Sequence, residues 1–130
     1  MGTEAQNGFI RRLTVSDVMM YHNPRCSKSR ETLKLLRERG VEPKIVAYLK
    51  TPPDEDTLAL LLGMLEMEPI ELLRTREDEY AELGLEEKKD DRKALIRAMV
   101  ANPILIERPI VVKGNRARLG RPPEKVLEIL

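Results

Sequence analysis

The sequence has one cysteine, Cys26, and therefore no partner thiol of its own. An intramolecular disulfide and a CxxC redox pair are both excluded. Histidine is as scarce: His22 stands alone, so the two residues cannot make up a structural zinc site of the Cys/His type. If Cys26 does redox chemistry, the second thiol must come from another molecule. No apolar run approaches the ~20 residues that cross a bilayer. Met1 to Arg12 lacks the continuous apolar stretch of a signal peptide, so a cytoplasmic protein with no membrane partner is expected. Charge of one sign is lacking too. Twenty-three basic against twenty-two acidic residues leave +1, which argues against a nucleic-acid partner held by bulk charge.

What remains is an ordinary globular composition, 42% hydrophobic and 35% charged, without repeats or low-complexity tracts. Residues 1–17 read as a flexible leader, either a native extension or an expression remnant, and 18–130 as a single domain. Val18 to Tyr21 is a short apolar run ending at the turn signal Asn23-Pro24, which predicts a buried strand. A helix fits after Cys26, with Leu33, Leu35 and Leu36 on one side and Gly40 at its stop. Ile45 to Leu49 predicts a second strand. Strand, helix and strand within about thirty residues make a right-handed βαβ unit. Pro52-Pro53-Asp54 opens a helical region, about 54–101. Within it Leu58, Leu61, Leu62 and Leu65 keep helical spacing, and Pro69 starts a shorter helix reaching Arg74. Residues 77–101 read as helical with a break near Gly84; Leu95, Ile96, Met99 and Val100 form one apolar face, and Asn102-Pro103 ends it. Ile104 to Ile106 and Pro109 to Val112 read as extended. Gly114-Asn115 signals a hairpin into Arg116 to Leu119. Pro122-Pro123 begins a last helix with Val126, Leu127 and Leu130 inward. The expected fold class is α/β, a thioredoxin-like mixed sheet (βαβ…ββα) with a helical insertion between its halves.

The stretch Tyr21 to Arg30 carries the chemistry. It sets the cysteine between a strand and a helix, where the helix's first free N–H groups and its dipole favour a thiolate and can cradle an oxyanion. Arg25, Lys28 and Arg30 add positive charge in sequence. A cysteine so placed is expected below the ordinary ~8.5. His22 either stabilises that thiolate or orders the loop by bonding a backbone group. Ser29 either donates to the thiolate or satisfies a first-turn N–H. Asn23 reads as a loop-shaping residue whose amide could also bind an oxyanion.

The pattern His22-Asn23-Pro24-x-Cys26-x-x-Ser29-Arg30 resembles the active-site loop of the glutaredoxin-dependent arsenate reductases. The likeness covers Met20 to Leu130, through Glu42-Pro43, Tyr48-Leu49, Pro52-Pro53, Leu72-Leu73-Arg74, Leu83-Gly84-Leu85, Asn102 to Ile106, Arg108 to Val112 and Arg121-Pro122 in order. The resemblance implies that Cys26 is the nucleophile, that Arg74, Arg108 and Arg121 surround the oxyanion, and that Pro109 is held in cis facing the cysteine. Elementary electrostatics agrees: an anionic thiolate approaches an anionic arsenate only if cations neutralise the pair, and guanidinium groups present forked donors suited to tetrahedral oxyanions. The implied activity is reduction of arsenate to arsenite through a thioarsenate adduct on Cys26. The implied partners are arsenate, glutathione as co-substrate and glutaredoxin, with no bound cofactor or metal. Two other readings stand beside it: a glutathione-dependent thiol oxidoreductase of the same fold with another substrate, and a thiol-responsive transcription regulator that binds RNA polymerase. Members of the latter that sense oxidation need a second cysteine where Ser29 stands.

Overall fold

The computed structural model describes residues 17–130; the leader expected over 1–17 lies outside them save for Asp17. A four-stranded sheet in the order β2-β1-β3-β4 forms the centre. Its strands are β1 (Val18–Tyr21), β2 (Lys44–Val46), β3 (Ile110–Lys113) and β4 (Arg116–Leu119). Strands β1 and β2 are parallel, with Met20 opposite Ile45, while β3 is antiparallel to both β1 and β4. The crossover from β1 to β2 is α1 (Ser27–Glu38). That helix ends where Gly40 takes φ +78°, a left-handed conformation that glycine adopts without a Cβ penalty, and Val41 N–H closes back on Leu36 O at 2.9 Å. Between β2 and β3 lie α2 (Glu55–Leu65), α3 (Pro69–Leu72), α4 (Asp78–Glu82), a 3₁₀ turn at Leu85–Lys88 and α5 (Arg92–Ala101). This is the mixed thioredoxin-like sheet, with helices filling the connection between its halves.

Strand alternation divides the interior in two. Val18, Met20 and Val111 point to one face, where Leu36 of α1 and Val126 and Ile129 of the last segment cover them. Tyr21, Ile110 and Ala117 point to the other, against Leu58, Leu61, Leu62, Leu72, Leu95 and Met99 of the inserted helices. Each such leucine contributes about 1.5–3 kcal/mol by leaving water. Asp54 starts α2 by accepting the Thr57 N–H at 2.8 Å, and Asp91 starts α5 by accepting the Ala94 N–H at 3.1 Å.

Five expectations need correction. Strand β2 stops at Val46, because Tyr48 N–H and Lys50 N–H turn back onto Val46 O and Ala47 O at 3.0 Å. The helix begun at Pro69 ends at Leu72, since Leu73 leaves to pair with Ile106 as an isolated antiparallel bridge. The stretch 77–101 breaks at Gly84 (φ +65°) as expected, but breaks again at Asp91, leaving one short helix, a 3₁₀ turn and α5. Pro103–Leu105 is a 3₁₀ turn, so Ile106 alone of the 104–106 run is extended. The final segment, Pro123–Ile129, is 3₁₀, and its three-residue period buries Pro123, Val126 and Ile129. Leu130, expected inward, is 38% exposed. Among the described residues no helix is long and apolar enough to cross a membrane.

Candidate active site

The loop that leaves β1 is built by its own polar side chains. His22 N–H extends the sheet by one bond to Val46 O, at 3.0 Å. Asn23 Oδ1 accepts the Arg25 N–H and Asn23 O accepts the Cys26 N–H, each at 3.0 Å, a compact turn of the kind asparagine side chains favour. Arg30 reaches back to donate to Pro24 O at 3.0 Å. Ser29, fully buried, accepts the Asn23 N–H at 3.0 Å and lies 2.8 Å from His22 Nδ1. Partial burial, then the charges of Arg37 and Arg30, holds His22 below its ordinary pKa, so the ring is neutral near pH 7. A neutral ring accepting the Ser29 proton at Nδ1 satisfies both groups, the tautomer being assigned from that network.

Cys26 is the N-cap residue of α1, with φ −95° and ψ 124°. Its side chain makes no capping hydrogen bond, yet the first-turn N–H groups of Lys28 and Ser29 act on the sulfur. Burial on its own raises the thiol pKa; the backbone N–H of Ser29, the Arg108 guanidinium and the N–H of Lys28 together outweigh it, and the net direction is downward. Two expectations change here. The Ser29 hydroxyl is committed to His22 and Asn23, so it is Ser29's backbone that faces the thiolate. The cationic help comes from Arg108, while the side chain of Arg30 is spent on Pro24 and that of Lys28 leans toward Glu31 at 3.6 Å.

Of the three arginines expected around the sulfur, Arg121 and Arg108 act on it directly, and Arg74 is joined to Arg121 through a carboxylate. Arg121, just past β4, brings Nη1 to 3.9 Å from Cys26 Sγ and donates to Arg108 O at 3.1 Å. Arg108, only 9% exposed, donates to Ile104 O at 3.4 Å and leaves its Nε without a partner. Arg74, after the Leu73–Ile106 bridge, is fixed by Glu77 at 3.0 Å and by Glu107 at 2.5 Å. Glu107 in turn lies 3.5 Å from Arg121 Nε, linking Arg74 to the arginine beside the sulfur. The Arg108–Pro109 peptide is cis, as the resemblance implied, and so is Arg121–Pro122, which nothing in the sequence signalled. Pro109 O accepts the Gly120 N–H at 3.0 Å, tying the segment before β3 to the one that carries Arg121.

Two members of the site escape a reading of the sequence alone. Tyr48, 1% exposed, has a hydroxyl that makes no hydrogen bond of good geometry among the described residues, although the Asn23 side chain lies close enough to act on it, and burial foremost pushes its pKa up to about 12. The charges of Arg108, Cys26 and Arg74 all act on that hydroxyl, which puts it within the same cluster. Glu107 is the other, and its adjacency to Arg108 gave no hint that it would face Arg74. Among the described residues no group of three His, Cys, Asp or Glu side chains is gathered as a metal site. The arrangement offers a nucleophilic sulfur at a helix N-terminus and, next to it, an Arg108 Nε that has no partner among the described residues.

Comparison with known proteins points the same way. The ArsC family matches residues 21–129. The arsenate reductase of Escherichia coli (strain K12) is 49% identical over 118 residues, 89% of this chain and 82% of that protein. An uncharacterized protein of the same organism, YfgD, is 60% identical over 114 residues, 87% of this chain and 96% of its own. Among solved structures, the arsenate reductase from Vibrio cholerae superposes with a TM-score of 0.86 at 47% identity, covering 90% of this chain and all of that one. With a sole cysteine at the N-cap position of the helix after β1, Arg108 and Arg121 acting on its sulfur, and a match running through nearly every described element, the chain belongs to the ArsC family.

Proposed function

We propose that this protein is an arsenate reductase that works through Cys26, with glutathione and glutaredoxin supplying the electrons. The observation that carries the reading is Cys26 itself: it holds the N-cap position of α1, with Arg121 Nη1 3.9 Å from its sulfur and the Arg108 guanidinium depressing its pKa. Arsenate is an anion at neutral pH, and a thiolate reaches it only where guanidinium groups neutralise the pair. In this reading Arg108 Nε is the buried donor awaiting an oxygen, the Tyr48 hydroxyl stands in the same cluster, and Arg74 and Arg121 complete the cage.

The sequence of bonds follows from having one thiol. Cys26 sulfur attacks arsenic(V) and expels a hydroxide, which leaves as water after protonation, giving a thioarsenate adduct. The three guanidinium groups offset charge building on the arsenic oxygens. Glutathione thiolate then adds to the same arsenic and expels a second hydroxide. A glutaredoxin thiolate attacks the glutathione sulfur, forming a mixed disulfide and leaving the bonding pair on arsenic, now arsenic(III). Water releases arsenite and frees Cys26 as the thiolate. Two electrons reach arsenic, and the two external thiols are oxidised to one disulfide. No bound cofactor is required.

The test is a coupled assay in which NADPH, glutathione reductase, glutathione and glutaredoxin regenerate the donors. Arsenate-dependent NADPH oxidation is expected, abolished in Cys26→Ser. Oxidation that proceeds equally without arsenate would leave a thiol oxidoreductase with another substrate as the better reading.

A further inference from the structure

Glu107 is an odd neighbour for an anion site. Its carboxylate lies 2.5 Å from Arg74 Nη1 and 3.5 Å from Arg121 Nε, so it occupies two of the three guanidinium groups. It does not wander there: Glu107 N–H donates to Leu72 O at 2.8 Å and Arg74 N–H donates to Leu105 O at 2.7 Å, so the two backbones are locked side by side around the Leu73–Ile106 bridge. Glu77 adds a second carboxylate on Arg74. Arg74 and Arg121 thus already face two carboxylates before any guest arrives. Of the three, only Arg108 has no carboxylate partner among the described residues, and its buried Nε has no hydrogen-bond partner there either.

A bare arginine trio would hold any tetrahedral dianion, including phosphate and sulfate, which a thiolate does not reduce. We propose that Glu107 is a specificity-determining residue: by occupying Arg74 and Arg121 it keeps the pocket from saturating with unreactive oxyanions, so that a guest is retained by bonding to Cys26 sulfur and not by charge alone. The proposal rests on the oxyanion-pocket reading above and adds to it the means of discrimination. A merely structural Glu107 predicts the opposite sign, because loosened arginines would bind anions less well.

The experiment compares the wild-type chain with Glu107→Gln, which keeps the shape and removes the charge, and with Glu107→Asp, which keeps the charge. The readout is the phosphate concentration that half-protects Cys26 from iodoacetamide, at fixed ionic strength and at a pH where the thiolate is fully formed in each. Thermal unfolding of each variant checks that it is folded. Glu107→Gln is expected to need about tenfold less phosphate, the order set by removing one negative charge beside a dianion at a partly solvated site. Glu107→Asp is expected to stay near wild type. In the coupled assay the ratio of the phosphate inhibition constant to the arsenate KM should fall in Glu107→Gln. Unchanged or weaker phosphate protection in Glu107→Gln overturns the proposal while leaving arsenate reduction intact. If neither arsenate nor phosphate protects Cys26 in the wild type, the oxyanion pocket and this inference fall together.

Discussion

A thiolate is useful to this site only if it exists at neutral pH, and the forces on Cys26 are opposed. Partial burial favours the thiol, whereas the N–H groups of Ser29 and Lys28 and the Arg108 guanidinium favour the anion and win. Arg108 is the one of these that a side-chain substitution can remove. In Arg108→Gln the Cys26 pKa should rise, so the alkylation-versus-pH profile moves to higher pH and the rate at neutral pH falls. Arg121→Gln, whose guanidinium lies at 3.9 Å on the open side, should move the profile less. Equal profiles for wild type and Arg108→Gln would contradict this account. At this scale the cysteine was legible because it is unique and stands at a strand-to-helix junction. The arginines, taken singly, looked like surface residues; they gained meaning from resemblance, and their convergence comes from segments far apart in sequence. Glu107 and Tyr48 stayed hidden for a related reason. Neighbours in an extended segment face opposite ways, and a tyrosine in the turn after β2 gives no sign of which charges will surround its hydroxyl.

At the scale of elements, helical periodicity was the dependable signal: α1, α2 and α5 lie where leucine spacing placed them, and β1, β3 and β4 where apolar runs and Gly114-Asn115 did. The corrections cluster in short pieces where one hydrogen bond decides the outcome, namely the end of β2, the turn at Pro103–Leu105 and the terminal 3₁₀ segment. No periodicity reports such close approaches as the one at Gly120. There the backbone runs so near α1 and Pro109 that an added Cβ would stand inside contact distance of Thr32 Oγ1 and 2.8 Å from Pro109 Cγ. Thr32 cannot swing away freely, since its hydroxyl donates to Lys28 O at 2.8 Å in the first turn of α1. Gly120→Ala should therefore destabilise by about 1–3 kcal/mol, as overpacking in a filled interior does. Urea unfolding measures it, and a double-mutant cycle with Thr32→Ala should recover part of the loss. Additive losses would mean that the strain lies elsewhere.

Over the whole molecule, the sheet is the common platform: both hydrophobic clusters rest on it, one under α1 and the last segment, the other under the inserted helices. The βαβ unit and the hairpin could be read locally, but the antiparallel pairing of β1 with β3 joins residues some ninety positions apart, and only the order of elements, as a mixed thioredoxin-like sheet, pointed toward it. That pairing sets the cis Arg108–Pro109 segment next to the Cys26 loop, so the stability of the fold and the shape of the site share one network. His22 makes the link measurable. Its ring, neutral and bonded to Ser29, has a folded-state pKa below the unfolded 6.5, first through burial and then through Arg37 and Arg30. Protons therefore bind more readily to the unfolded chain, and by linkage stability must fall as pH drops below the unfolded value toward the folded one. The depressed carboxylates, Glu42, Asp54, Glu86 and Glu128, start from 4.5 or lower and titrate beneath that window. Urea midpoints measured between about pH 7.5 and 5.5 should thus decline in the wild type. In His22→Gln, which offers Ser29 an uncharged partner at every pH, the curve should be flatter, although lower at its neutral end because the replacement fits the buried network less well. Parallel curves for the two proteins would show that the histidine keeps its ordinary pKa and that the loop is not coupled to global stability in this way.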